Sequence, residues 1–287
     1  MDDLTYTLRQ LCLRNRDGSH ATQADRQRSL SLAARQLGEA GFRQMRATSL
    51  KGKHVEALLQ RWQAEGLSAG TLKNRMAHLR WWAEKVGKAG ILPVDNTRLG
   101  IPDRRYVTNE SKAKELDNRL DKITDSYVRM SLRLQAAFGL RREESIKFQP
   151  RYADRGDHIV IKGSWTKGGR DRTVPITTPE QRAVLDEAHR LVRLGSLIPA
   201  NKTYIQQRHV YDGQCKAAGL SNMHGLRHRY AQLRYEILTG WSAPAAGGTS
   251  SKDLASGQRT LDIEARQIIS RELGHERLQV TAIYLGR

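Results

Sequence analysis

The apolar residues of this chain recur almost throughout at helical spacing, and one pair of short segments alternates instead. That contrast bounds the fold first, because helices must then supply most of the core and a large sheet is excluded. The alternating pair is His158-Ile-Val-Ile-Lys162 and Arg172-Thr-Val-Pro-Ile176, joined by Gly163-Ser-Trp-Thr-Lys167-Gly168-Gly169-Arg170-Asp171. It reads as an antiparallel hairpin with a glycine-rich tip.

Ahead of the hairpin, Ala21 to Leu37 sets Leu30, Ala33, Ala34 and Leu37 on one helical face, with Gly38 and Gly41 expected to stop it. Lys53 to Ala64 does the same with Val55, Leu58, Leu59 and Trp62. Ser68 has the chemistry of an N-cap for a helix lined by Leu72, Met76, Leu79, Trp82 and Val86. The Trp81-Trp82 pair is expected to be core and partial cover, not a base-stacking platform. Pro93, Gly100 and Pro102 then break the pattern. Residues 1–105 are therefore expected to form a helical bundle, and a linker at about 91–110 to lead into a second domain over 111–287.

In that second part a helix is expected to resume at Lys112, with Tyr127, Met130, Leu134, Ala137 and Phe138 on an apolar face that ends at Gly139. Glu143 and Glu144 follow Arg141 where a new helix dipole favours acidic residues. Thr178 and Pro179 suit the cap and first position of another. Further helices are expected at about 180–194, 203–218 and 224–239, the last closed by Gly240. Residues 241–257, rich in Ala, Gly, Ser and Pro, read as an insertion that is functional or mobile. A helix ending at Gly274 and a short one over Leu278 to Leu285 complete the chain.

Charge narrows the function. Lys and Arg number 49 against 30 acidic residues, a formal net charge of +19. Such an excess favours a polyanion, since each neutralised phosphate releases counterions. The basic residues are spread along the chain, which suits an enclosing surface more than a disordered arm. No apolar run is long enough for a membrane span. The start, Met-Asp-Asp-Leu, is unlike a signal peptide. Cys12 and Cys215 form neither a disulfide framework nor a Cys-x-x-Cys pair, so a cytoplasmic location is expected.

The residues that carry chemistry suit a phosphodiester. Charge on the non-bridging oxygens grows in the transition state, and preorganised arginines meet it best. Arg141 and Arg227 qualify, each set in a defined turn or helix start. Tyr284 can act as a nucleophile if a base or cations assist it, and His224 and His275 can supply these. Lys167, at the hairpin tip, can protonate a leaving oxygen. A metal site at His224 and His228 is the rival reading, but it lacks the internal glutamate of a His-Glu-x-x-His helix. No phosphate-binding Gly-x-x-x-x-Gly-Lys loop is present, and no cofactor or metal is expected.

In order along the chain stand Gly139-Leu-Arg141-Arg-Glu-Glu144, Thr166-Lys167-Gly-Gly-Arg-Asp-Arg172-Thr-Val-Pro175, His224-Gly-Leu-Arg227-His228, Leu273-Gly-His275, and Tyr284 nine residues later. Together they resemble the tyrosine recombinases, or phage-type integrases, closely from Lys112 to Tyr284 and loosely before that. The resemblance implies a mainly α fold with a small β-hairpin. An N-terminal core-binding (SAM-like) bundle and an α+β catalytic domain would clamp DNA between them. It implies that Tyr284 forms a 3′-phosphotyrosine bond, that Arg141 and Arg227 hold the phosphate, and that His224 and His275 assist. Lys167 would serve as the acid, and Glu144 would orient a histidine or an arginine.

Implied partners are a double-stranded attachment site, a homotetramer on paired sites, and accessory or directionality factors. The implied task is integration or excision of a mobile element in the nucleoid. The chain departs from the pattern in its 241–257 insertion, in ending soon after Tyr284, and in having no room for an arm-site domain before the bundle. A type IB topoisomerase-like relaxing enzyme and a non-catalytic DNA-binding protein of the same fold are the alternatives. The spacing of Leu273-Gly-His275 and the completeness of the set favour the recombinase.

Overall fold

A computed structural model of the chain describes residues 2–275 and 277–287. The chain divides into two compact units, Met1–Arg105 and Tyr106–Arg287.

Unit one is built from α1 (Asp3–Arg14), α2 (His20–Glu39), α3 (Gly52–Ala64) and α4 (Ala69–Lys85). Asp2, Ser19 and Ser68 each accept a backbone N–H three residues on, satisfying donors that a helix start leaves open. Leu30, Leu37, Leu58, Trp62, Met76 and Trp82 fill the centre. Trp82 is fully buried and donates its Nε1–H to the Ala47 carbonyl at 2.8 Å. Trp81 lies at the edge, with the Arg26 guanidinium 4.1 Å from its ring centroid. Gly38 does not stop α2; the helix runs on to Glu39, and Gly41 takes the left-handed turn. One glycine costs a helix only about 1 kcal/mol, and burying Leu37 outweighs that.

Unit two contains α5 (Ser126–Phe138), α6 (Arg142–Ile146), α7 (Pro150–Ala153), β1 (His158–Ile161), β2 (Arg172–Pro175), α8 (Pro179–Val192), α9 (Tyr204–Ala217), α10 (Gly225–Thr239), α11 (Ser256–Glu272) and α12 (Leu278–Leu285). The hairpin is antiparallel, with Ile159 opposite Val174 and Ile161 opposite Arg172. Ile159, Ile161 and Val174 join Leu134, Phe138, Phe148, Tyr235 and Ile269 in the main core. Thr178 caps α8 in a reciprocal box with Gln181.

The expected helix from Lys112 does not form. Residues 106–117 run as an irregular strap, a short 3₁₀ turn follows at Asn118–Lys122, and α-helix begins only at Ser126 behind the Asp125 cap. The backbone of the strap pairs elsewhere, with Lys114 N–H donating to the Gly225 carbonyl at 3.0 Å. A Cβ on Gly225 would lie 2.3 Å from Lys114 Cγ, so glycine there lets the strap pass. The 241–257 insertion is folded onto its unit, with Ala243, Pro244, Ala245 and Leu254 buried. Among the described residues no helix is long and apolar enough to cross a membrane.

Gly139 ends α5 with φ 60°, and a Cβ there would meet the Tyr230 ring at 2.5 Å. Gly139→Ala is therefore expected to destabilise unit two by about 2–4 kcal/mol, through left-handed strain and overpacking together. Urea unfolding of wild type and variant checks this, and an unchanged midpoint would refute it.

Candidate active site

Five helix ends converge in unit two. The end of α5 brings Gly139 and the start of α6 brings Arg141 and Glu144. The first turn of α10 carries His224, Arg227 and His228. The turn after α11 supplies His275, and α12 supplies Tyr284.

Arg227 is completely buried. Its Nη1 donates to the Gly139 carbonyl at 2.6 Å and its Nη2 to the Leu273 carbonyl. Both acceptors lie just past helix ends, where carbonyls lack helical partners and a cation is favoured. Burial and the neighbouring Arg141 charge pull the pKa of Arg227 down to about 10, which leaves it cationic at neutral pH.

Glu144 is equally buried. Oε1 accepts from Arg141 Nη1 and Arg172 Nη1, each at 2.8 Å, while Oε2 accepts from the Arg141 backbone N–H and Arg172 Nη2, each at 2.7 Å. Burial alone would raise its pKa, but the Arg172 hydrogen bonds and the charges of Arg172, Arg227 and Arg141 bring it to about 2. The carboxylate thus stays ionised and holds Arg141 in place by side chain and backbone together.

The three histidines are kept neutral. Burial, reinforced by Arg227 and Arg141, lowers the pKa of His224. The same causes take His275 to about 3, and burial beside His224 takes His228 to about 4. His224 Nε2 stands 3.1 Å from the Tyr284 hydroxyl. A neutral imidazole can accept that proton, since Tyr284 is the natural donor. His275 faces Arg227 Nη2 through Nε2 at 3.4 Å and Thr281 Oγ1 through Nδ1 at 3.0 Å. Arginine only donates, so the Nε2-acceptor, Nδ1–H tautomer fits both contacts. The Tyr284 ring stacks on His275 at 5.1 Å between centroids and lies 4.4 Å from the His228 ring.

His224, Arg227, His275 and Tyr284 are thus linked through direct contacts, Arg141 and Glu144 are paired with each other, and the two groups act on one another through their charges. Lys167 stands apart on the exposed hairpin tip, lining a cleft of about 700 Å³ with Arg141, Arg172 and His275. Among the described residues no group of three or more His, Cys, Asp or Glu side chains is placed to hold a metal ion.

Two further residues belong to the site although the motifs gave them no role. Arg172 donates from Nε to the Glu272 carbonyl at 2.9 Å while gripping Glu144. A Cβ on Gly274 would lie 2.8 Å from Arg172 Cδ, so the turn into His275 depends on this glycine. The signal was available in the strand pattern, since Arg172 sits on the same inward face as Val174 and a buried arginine demands a partner. Thr281, fully buried, orients His275 and carried no comparable signal.

Residues 1–91 match the family model described as "Phage integrase, N-terminal", and residues 102–233 match the model described as "Integrase". The chain belongs to the tyrosine recombinases, the phage-type integrases. Among solved structures, a lambda integrase(75-356) dimer bound to a COC′ core site matches with TM-score 0.60 and 15% identity, over 99% of this chain and 96% of that one. XerH site-specific recombinase bound to difH substrate gives 0.56 at 18% identity, over 98% and 80%. The Tn1549 transposon integrase in complex with circular intermediate DNA gives 0.57 at 12% identity, over 100% and 96%. At these identities the likeness is one of fold. No curated protein matches the chain.

In this tyrosine recombinase the neutral histidines make stability sensitive to acid. Unfolded histidines take up protons near pH 6.5, whereas His275 and His228 resist until about 3 and about 4. Stability is therefore full above pH 6.5 and falls as pH drops through that window. Melting at pH 7 and pH 4.5 checks this. The His228→Gln, His275→Gln double variant is expected to lose less on acidification than wild type, and an equal loss would refute the account.

Proposed function

We propose that this recombinase cuts and rejoins double-stranded DNA at defined sites through a 3′-phosphotyrosine bond made by Tyr284. The observation that carries the reading is the 3.1 Å contact between the Tyr284 hydroxyl and Nε2 of His224, whose lowered pKa keeps it a proton acceptor. As the phenolic oxygen attacks phosphorus, its proton passes to His224. The bond from phosphorus to the 5′-oxygen breaks, and Lys167 supplies the proton that makes the departing group a 5′-hydroxyl. Arg141 and Arg227 meet the charge that grows on the non-bridging oxygens, with His275 beside them. Glu144 and Arg172 keep Arg141 aimed. Attack by the 5′-hydroxyl of a partner duplex reverses the step, so the phosphodiester is exchanged and its bond energy kept.

In this reading unit one is the core-type DNA-binding domain and unit two the catalytic domain. The net charge of +19 supports a DNA partner. The described relatives include a lambda integrase tetramer bound to a Holliday junction, which supports a homotetramer on paired sites here. Integration or excision of a mobile element at the nucleoid is the task that fits.

A nicked suicide duplex carrying the element's attachment site tests this, with covalent product scored on a denaturing gel. Wild type is expected to give a protein–DNA band without divalent metal. Tyr284→Phe is expected to give none while still binding the site, and Arg227→Ala to lower the rate by about 100-fold or more. A covalent band from Tyr284→Phe would overturn the proposal.

A further inference from the structure

An eight-residue helix is too short to hold its own geometry in water, and α12 must take its placement from its surroundings. Its carboxyl end is the critical part, because Tyr284 lies one residue before it. The last carbonyls of a helix have no helical partner. In α12 the Ala282 carbonyl accepts the Gly286 N–H at 2.9 Å, closing the final turn. The Tyr284 carbonyl has a side-chain partner, Gln232 Nε2 of α10, at 3.0 Å. Gln232 is buried, and its Oε1 in turn accepts from Ser111 Oγ of the strap at 3.0 Å. The Ser111 hydroxyl therefore fixes which way the Gln232 amide faces, and the amide N–H points at the backbone of Tyr284.

The chain beyond is gripped as well. Arg266 donates to the Gly286 carbonyl at 2.9 Å while Asp262 and Ser251 hold its other nitrogens at 2.7 and 3.0 Å. Asn109 donates to the Arg287 carbonyl at 3.1 Å and accepts the Arg287 N–H at 2.8 Å. Gly286 lies under the insertion, where a Cβ would stand 2.7 Å from the Ala245 nitrogen.

We propose that Gln232, with its amide oriented by Ser111, is a positioning residue for the Tyr284 nucleophile, and that Asn109, Arg266 and the 241–257 insertion complete a clamp on the chain that follows. This rests on the reading of Tyr284 given above. The clamp acts in cis, through the same unit that carries the phosphate-binding groups. It also gives the strap a purpose. The chain that leaves unit one at Arg105 is tied within a few residues to the nucleophile helix through Asn109 and Ser111, and to the first turn of α10 through Lys114.

Two sets of variants test the clamp in the full chain. Gln232→Met keeps the buried volume and removes both hydrogen bonds. Ser111→Ala and Asn109→Gly act at exposed positions, and glycine suits the left-handed φ of 54° at Asn109, so the backbone is unstrained. For Gln232→Met the rate of covalent product on the suicide duplex, at saturating protein, is expected to fall about tenfold or more, as small misplacements of a reacting atom do. DNA affinity is expected to stay within about twofold. The two exposed variants should fall between wild type and Gln232→Met.

Hydrogen exchange gives a second readout that needs no catalysis. Amides over 282–287 are expected to exchange faster in Gln232→Met, with α5 unchanged. An unchanged cleavage rate, a rate that falls only in step with DNA affinity, or equal loosening of α5 would overturn the clamp. If wild type gives no covalent product, the nucleophile reading fails with it, and the exchange pattern alone decides whether Gln232 holds the end of α12.

Discussion

Arg227 has no exposed surface, and the elements that make up the site meet on its guanidinium. One arm is bound to the end of α5 and the other to the end of α11, through carbonyls that those helices leave unpaired. Removing such a charge from water is costly, and helix-end carbonyls with no better partner are one of the few settings that offset the cost. Gly139 and Leu273 are thereby fixed relative to α10, and Arg141 and His275, each two residues further on, are fixed with them.

The same charge sets the chemistry of its neighbours. Arg141, Arg172 and Arg227 surround a single carboxylate, Glu144, so the cluster keeps an excess of positive charge. That excess, added to burial, holds His224 and His275 in the neutral form. A site of this kind favours a phosphate and at the same time provides an imidazole able to take a proton from Tyr284. In the function proposed above, phosphate binding and base catalysis share one electrostatic cause.

Much of the fold was legible because its signals are local. The hairpin appears as alternation, α8 as a Thr-Pro start, and α12 as a short apolar run between Gly274 and Gly286. The failures lie where distant contacts override local preference. Residues 112–117 have ordinary helical composition, but the Lys114 N–H is taken up by the Gly225 carbonyl, which is remote in sequence. The insertion looks loose because it is rich in small residues, and those same residues let it pack closely against Gly286. Within the site, charged residues in short motifs stood out. Thr281 and Gln232 did not, because their roles depend on which side chain or backbone carbonyl lies opposite them in space.

The measurement that bears most directly on this account is peptide mapping of the covalent protein–DNA adduct after nuclease trimming. The account predicts one modified peptide, from the end of the chain, with Tyr284 carrying a nucleotide through its 3′-phosphate and a free 5′-hydroxyl on the released strand. A nucleotide on any other residue, or a linkage through the 5′-phosphate, would contradict it.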